Sequence, residues 1–112
     1  MTILWMDDCH NMGPEGVVKE IRKVIGDNPF YLSVDIDGID PLDMPGTGSP
    51  EPCGLRMRDM QIIIRGMRHM NMVGADFNEV NPLLDPSGIT AFHTAHLMFE
   101  VLCLAAEQKS GA

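Results

Sequence analysis

Asp35 and Asp37 stand two residues apart at the end of the β-rich run Phe30-Tyr31-Leu32-Ser33-Val34. On an extended chain that spacing sends both carboxylates to the same side. Two anions so placed repel, and a divalent cation held by hard oxygen ligands removes the conflict. The pair is a candidate metal site, with a turn cap or a solvated face as the plainer reading. Glu79 closes a second strand-like stretch, Met70 to Val80. Taken alone, an acid there reads as an exposed strand-end residue. Thr47 lies in Pro45-Gly46-Thr47-Gly48, a flexible segment that could offer a hydroxyl to a substrate or be only a turn. His93 and His96 have the i, i+3 spacing of two imidazoles on one helix, which is more often a core or surface arrangement than a metal site. His10 follows Asp7-Asp8-Cys9 and could reach the same rim. Asp40, before Pro41, reads as a loop brace, and His69 as a helix-end residue that complements the dipole.

The elements that must carry these groups follow from hydrophobic periodicity. Thr2 to Met6 is read as a short strand. Pro14 and Glu15 open a helix from Gly16 to Ile25, with Val17, Val18, Ile21, Val24 and Ile25 on one face and Gly26 as its stop. Phe30 to Val34 is a central strand of the kind buried on both faces. Asp40 to Gly54, rich in proline and glycine, is a long shaped loop. A second helix spans Met57 to Met70, a strand spans Met70 to Val80, and Ser87 caps a last helix from Gly88 to Ala106. Strand, helix, strand, helix, strand, helix is the order of a parallel α/β sheet. In such sheets ligands bind beyond the carboxyl ends of the strands, where Asp7-Asp8, Asp35, Asp37 and Glu79 are expected to converge.

The totals narrow the class of function. A chain of 112 residues has room for one compact domain, and its 45% hydrophobic and 21% charged residues are ordinary globular usage. Sixteen acidic against eight basic residues give a formal charge of -8, which argues against nucleic acids and anionic membranes and favours cationic ligands. Cys9, Cys53 and Cys103 are odd in number and unrelated in spacing, so neither a disulfide framework nor a zinc knuckle is predicted. No membrane span and no signal peptide is read, and a reducing, cytoplasmic compartment is expected.

The string SVDIDGIDPLDMPGTGSPEPCGL resembles the third signature segment of the arginase/agmatinase, or ureohydrolase, family. HNMGPEGVVKEI resembles the helix before that segment, and GADFNEVNPLLDPSGITA the family's last strand and final helix start. PGTG together with DPSGITA is closer to the agmatinase and guanidinobutyrase branch than to true arginases. The resemblance implies a three-layer α/β/α fold with a parallel sheet, of which residues 1–112 would be the C-terminal portion of a single domain and carry a partial sheet. It also implies two Mn²⁺ ions sharing a hydroxide that hydrolyses an agmatine-like guanidino compound to an amine and urea. Asp35 and Asp37 match the metal-binding aspartates of the segment, Glu79 matches the carboxylate that grips the guanidinium, and Thr47 is placed on the substrate side. A small cationic guanidino substrate and a homo-oligomer are the partners so implied.

Two departures qualify this expectation. Cys53 stands where the family usually has glycine, so a positive φ there would strain the loop. The family's Gly-Asp-His-Ser and Asp-Ala-His-x-Asp segments, which supply the remaining metal ligands, have no counterpart in these residues. An incomplete, inactive site is therefore expected of the chain alone. The alternative is a non-catalytic α/β remnant or interaction module that binds at most one divalent metal weakly. A half-built sheet with uncovered apolar faces is also expected to self-associate.

Overall fold

The computed structural model describes residues 1–111. Helix α1 spans Met6–Ile25, strand β1 Phe30–Asp35, helix α2 Met57–Gly66, strand β2 Met72–Asn78 and helix α3 Ile89–Ser110. Short 3-10 turns, Ile36–Gly38 and Pro82–Leu84, follow the two strands. β1 and β2 pair in parallel, with Ser33 opposite Asp76, Val34 opposite Phe77 and Asp35 opposite Asn78. The α2 helix lies between the two strands in sequence, the βαβ connection that parallel pairing requires.

Alternation along the strands places the core on one face of the sheet, so Phe30 to Val34 is not buried on both faces as expected. Val34 is buried, Leu32, Ala75 and Phe77 pack against the core, and Tyr31, Ser33 and Asp35 are exposed. Ile36, Met44, Ile64 and Leu97, contributed by the turn after β1, the following loop, α2 and α3, are fully buried. The helices pack together through α2, which contacts both α1 and α3. Arg22 of α1 donates to the carbonyls of Gly66 and Arg68 at 2.9 and 2.7 Å, satisfying acceptors that the end of α2 leaves open. Ion pairs from Arg65 to Glu100 and from Arg68 to Glu107 tie that same end to α3. The architecture is α/β, with helices on one face of a two-stranded parallel sheet among the described residues. It is thus part of the three-layer arrangement.

Several boundaries differ from the sequence expectation. Thr2 to Met6 forms no strand: Asp8 accepts the Trp5 N–H at 3.0 Å and starts α1 at Met6, ten residues before Gly16. A kink at Gly13, whose φ is 71°, divides α1, and Pro14 opens the second segment in the position that tolerates it. Asp7 and Asp8 therefore sit in a first helical turn, where the dipole favours them, and not at a strand end. The second helix stops at Gly66, because the chain turns through residues 67–69 and His69 takes a left-handed φ of 66°. His69 lies beyond the last turn it was expected to complement.

The last helix also starts differently from expectation and is more apolar. Gly88 is its N-cap, while Ser87 Oγ accepts from Ile89 N and Asp85 accepts the Thr90 N–H at 2.7 Å. By length and composition alone, α3 is apolar enough to cross a membrane, with a mean hydropathy of 1.4, which corrects the expectation that no segment reaches that measure. Four of its residues, Thr90, Thr94, Leu97 and Val101, are buried.

Candidate metal and guanidinium site

Asp35 is the last residue of β1, and Asp37 lies in the Ile36–Gly38 turn. The chain leaves the extended conformation after Asp35, and the two acids flank Ile36, which is fully buried and fixes the turn to the core. Asp35 is exposed and Asp37 half-buried. Asp37 lines an open cleft of about 450 Å³ with Gly38, Ser49, Glu51 and Cys53, within the size range of small-molecule sites.

Glu79 follows directly on β2, one position beyond Asn78, the register partner of Asp35. The two carboxylates thus cap adjacent parallel strands at their carboxyl ends, the end where α/β sheets bind ligands. Glu79 is exposed and has a φ of 71°. A non-glycine residue in the left-handed region costs on the order of 1 kcal/mol and persists where surrounding structure imposes it, often at functional sites.

The loop from Asp40 onward forms the other wall. Asp40 is buried, its carboxylate accepts the Leu42 N–H at 2.9 Å and its carbonyl accepts from Asp43 and Met44, as expected of a brace. Asp43 accepts from Arg56 through both oxygens and from Met57 N at 2.8 Å, holding the start of α2. The Arg56 guanidinium keeps the Asp43 carboxyl below its ordinary range. Cys53 has a φ of 64°, so the strain expected from a side chain at this position is present. His10 Nε2 lies 2.7 Å from the Cys53 carbonyl and donates to it. His10 therefore reaches the rim as a prop for the loop.

Thr47 does not open onto the cleft. It is 2% exposed, and its hydroxyl has no hydrogen-bond partner among the described residues. The reason is the pinning of Gly46, whose N–H and carbonyl are held by Thr90 Oγ1 and Asn81 N and carry the next residue inward. His93 and His96 are not brought to a common ligand. His93 Nδ1 donates to the Asp43 carbonyl at 2.9 Å, whereas His96 stands 3.7 Å from Glu100.

Sequence reading missed two polar clusters. On the exposed sheet face Ser33 donates to Asp76 at 2.7 Å, and Tyr31 and Asn78 join them. Hydrogen bonds from Ser33, Tyr31 and Asn78 lower the Asp76 pKa, while the bond to Asp76 raises that of Tyr31. Asp85 is the second centre: donation from Ser87 and Thr90 lowers its pKa to about 2. The spacing Asp85-Pro-Ser-Gly-Ile-Thr90, an acid ahead of a helix start, was the available signal.

Parallel strands ending in carboxylates, with a cleft opening after the first of them, define an α/β protein whose acidic rim suits a cationic ligand. The Arginase family model matches residues 1–104, and the chain belongs to the arginase family. It is 43% identical over 105 residues to the guanidinopropionase of Pseudomonas aeruginosa, covering 94% of this chain and 33% of that protein. With the agmatinase of Chromobacterium violaceum it shares 44% over 109 residues, 97% of this chain and 34% of that one. The crystal structure of a hypothetical agmatinase from Burkholderia thailandensis superposes with a TM-score of 0.95 at 38% identity, over 99% of this chain and 35% of that chain. The chain spans about a third of the length of the relatives it matches, and corresponds to a C-terminal portion of them.

The donor set can be tested against the metal that the family implies. Among the described residues no group of three or more histidine, cysteine, aspartate or glutamate side chains is placed to hold an ion. Asp35 and Asp37 are the hard oxygen ligands Mn²⁺ favours, but two carboxylates supply only part of a coordination sphere.

Proposed function

We propose that this chain contributes the carboxylate side of a guanidino hydrolase site, acting on an agmatine-like compound. The observation that carries the reading is the placement of Asp35 and Glu79 at the carboxyl ends of neighbouring parallel strands, with Asp37, two residues beyond Asp35, lining a cleft. Glu79 is assigned to the guanidinium, which it would pair through two parallel hydrogen bonds, fixing the orientation of the planar carbon. Its constrained backbone limits the directions the carboxylate can take. Asp35 and Asp37 are assigned as metal ligands to be joined by donors from the rest of the domain. Mn²⁺, when bound in such a site, supplies a hydroxide at neutral pH. The net charge of -8 favours the approach of a cationic substrate.

A chimera tests this directly. Residues 1–104 replace the matched third of the Chromobacterium violaceum agmatinase, and urea release from agmatine and guanidinobutyrate is measured with Mn²⁺. Turnover is expected, and Glu79→Gln should reduce it far more than it reduces bound Mn²⁺. A folded, Mn²⁺-loaded chimera whose Glu79→Gln variant matches its parent would remove Glu79 from this role.

A further inference from the structure

The groups that hold Glu79 and the Pro45–Gly48 segment in place converge on one side chain. We propose that Thr90 is the positioning residue that sets the backbone of both, an inference that rests on the hydrolase reading only for the purpose of that positioning. Thr90 is 1% exposed and lies in the first turn of α3. Its N–H donates to Asp85 at 2.7 Å, and its hydroxyl oxygen accepts the Gly46 N–H at 2.8 Å. Thr90 is also among the groups that hold the Asp85 pKa below its ordinary value. Gly46 passes the constraint on, since its carbonyl accepts the Asn81 N–H at 2.7 Å. Asn81 is two residues after Glu79, so the chain leaving the strained φ of Glu79 is tethered to the loop and, through it, to Thr90.

Steric contact makes this relay short and stiff. A Cβ added at Gly46 would lie 2.8 Å from Asp85 Cβ and 2.9 Å from Thr90 Oγ1, so the loop backbone rests directly on the hydroxyl. Upstream, the same loop is anchored by fully buried Met44 and by Asp40, three residues beyond Asp37. Thr90 therefore stands where the segment after Asp37 and the segment after Glu79 are joined. A valine would fill the same space but could not accept from Gly46, whereas serine keeps the hydroxyl and loses only the methyl group.

Amide hydrogen exchange on the ¹⁵N-labelled 112-residue chain separates these roles. Relative to β1–β2 ladder amides, Thr90→Val should speed exchange at Gly46 and Asn81 by about tenfold, as expected for a lost hydrogen bond in a buried site. The Glu79 backbone resonances should shift with them. Thr90→Ser should keep wild-type protection and wild-type Glu79 resonances. The proposal falls if Thr90→Val leaves Gly46 and Asn81 unchanged relative to the ladder, or if Thr90→Ser loses protection at both. Should the valine variant fail to fold, the serine variant decides alone by the same criterion. None of these readouts uses substrate. Agmatine binding and turnover in the chimera test the hydrolase reading separately, so either can fail without the other.

Discussion

The imidazole of His10 donates to the carbonyl of Cys53 at 2.7 Å, joining α1 to a loop residue 43 positions away. The bond supports a left-handed residue, since Cys53 has a φ of 64°. A side chain in that region is disfavoured by about 1–2 kcal/mol relative to glycine, and glycine returns part of this in unfolded-state entropy.

Cys53→Gly should therefore stabilise the chain by about 0.5–1 kcal/mol, while Cys53→Ala should give no gain. Urea denaturation followed by circular dichroism reads both. An unchanged midpoint for the glycine variant would show that the surrounding loop relieves the strain.

Gly54 should behave in the opposite sense. A Cβ there would stand 2.8 Å from both Asp40 N and Gly38 O, and these are backbone atoms that cannot swing aside. Gly54→Ala should cost about 1–3 kcal/mol, the range for overpacking a fixed site. Retention of the parent melting temperature would contradict this packing.

Acid titration should expose Asp85. Its pKa of about 2 lies below the ordinary value of 3.8, so its contribution to stability is full above 3.8 and is lost as pH falls through 2. Asp85→Asn should melt lower than the parent at neutral pH, and the gap should close between those two pH values. A gap that persists unchanged at the acid end would remove the ionised carboxylate as its cause.

The isolated chain should self-associate through α3. Phe92, Phe99 and Leu102 are 68%, 64% and 65% exposed and recur at helical spacing. Light scattering should give more than a monomer mass, and a Phe92→Lys, Phe99→Lys, Leu102→Lys variant should scatter as a monomer. A monomeric parent would refute the prediction.

Urea release by the 112-residue chain from agmatine with excess Mn²⁺ should not exceed that of its Asp35→Ala, Asp37→Ala variant. Two carboxylates leave most of an ion's coordination to water. Turnover lost in the double variant would mean that other groups of this chain complete the site.

The strands after Phe30 and Met72 and the long apolar helix were legible as β-rich and apolar runs, but the expected burial of Phe30 to Val34 on both faces was not met, since Tyr31 and Ser33 are exposed. Local capping was less legible. Asp8 and Asp85 start helices by reaching back or forward along the chain, which moved α1 upstream and transferred the cap of α3 away from Ser87. The placement of Glu79 at a strand end could be read from the chain order, but its strained φ could not, since the chain just beyond it is held by the bond from Asn81 N to the carbonyl of distant Gly46. The buried position of Thr47 depends on Thr90, 43 residues away, and local composition carries no trace of that partner.

The hydrogen-bonded face of Tyr31, Ser33, Asp76 and Asn78 gives the sheet a wettable surface, while α3 carries an oily one. A molecule so divided is an amphiphile. At an air–water boundary it should lower surface tension and settle with α3 away from the water, so foaming and adsorption to plastic should track the helix. Recovery from dilute stocks should improve with a mild surfactant, which competes for the oily surface and leaves the sheet untouched.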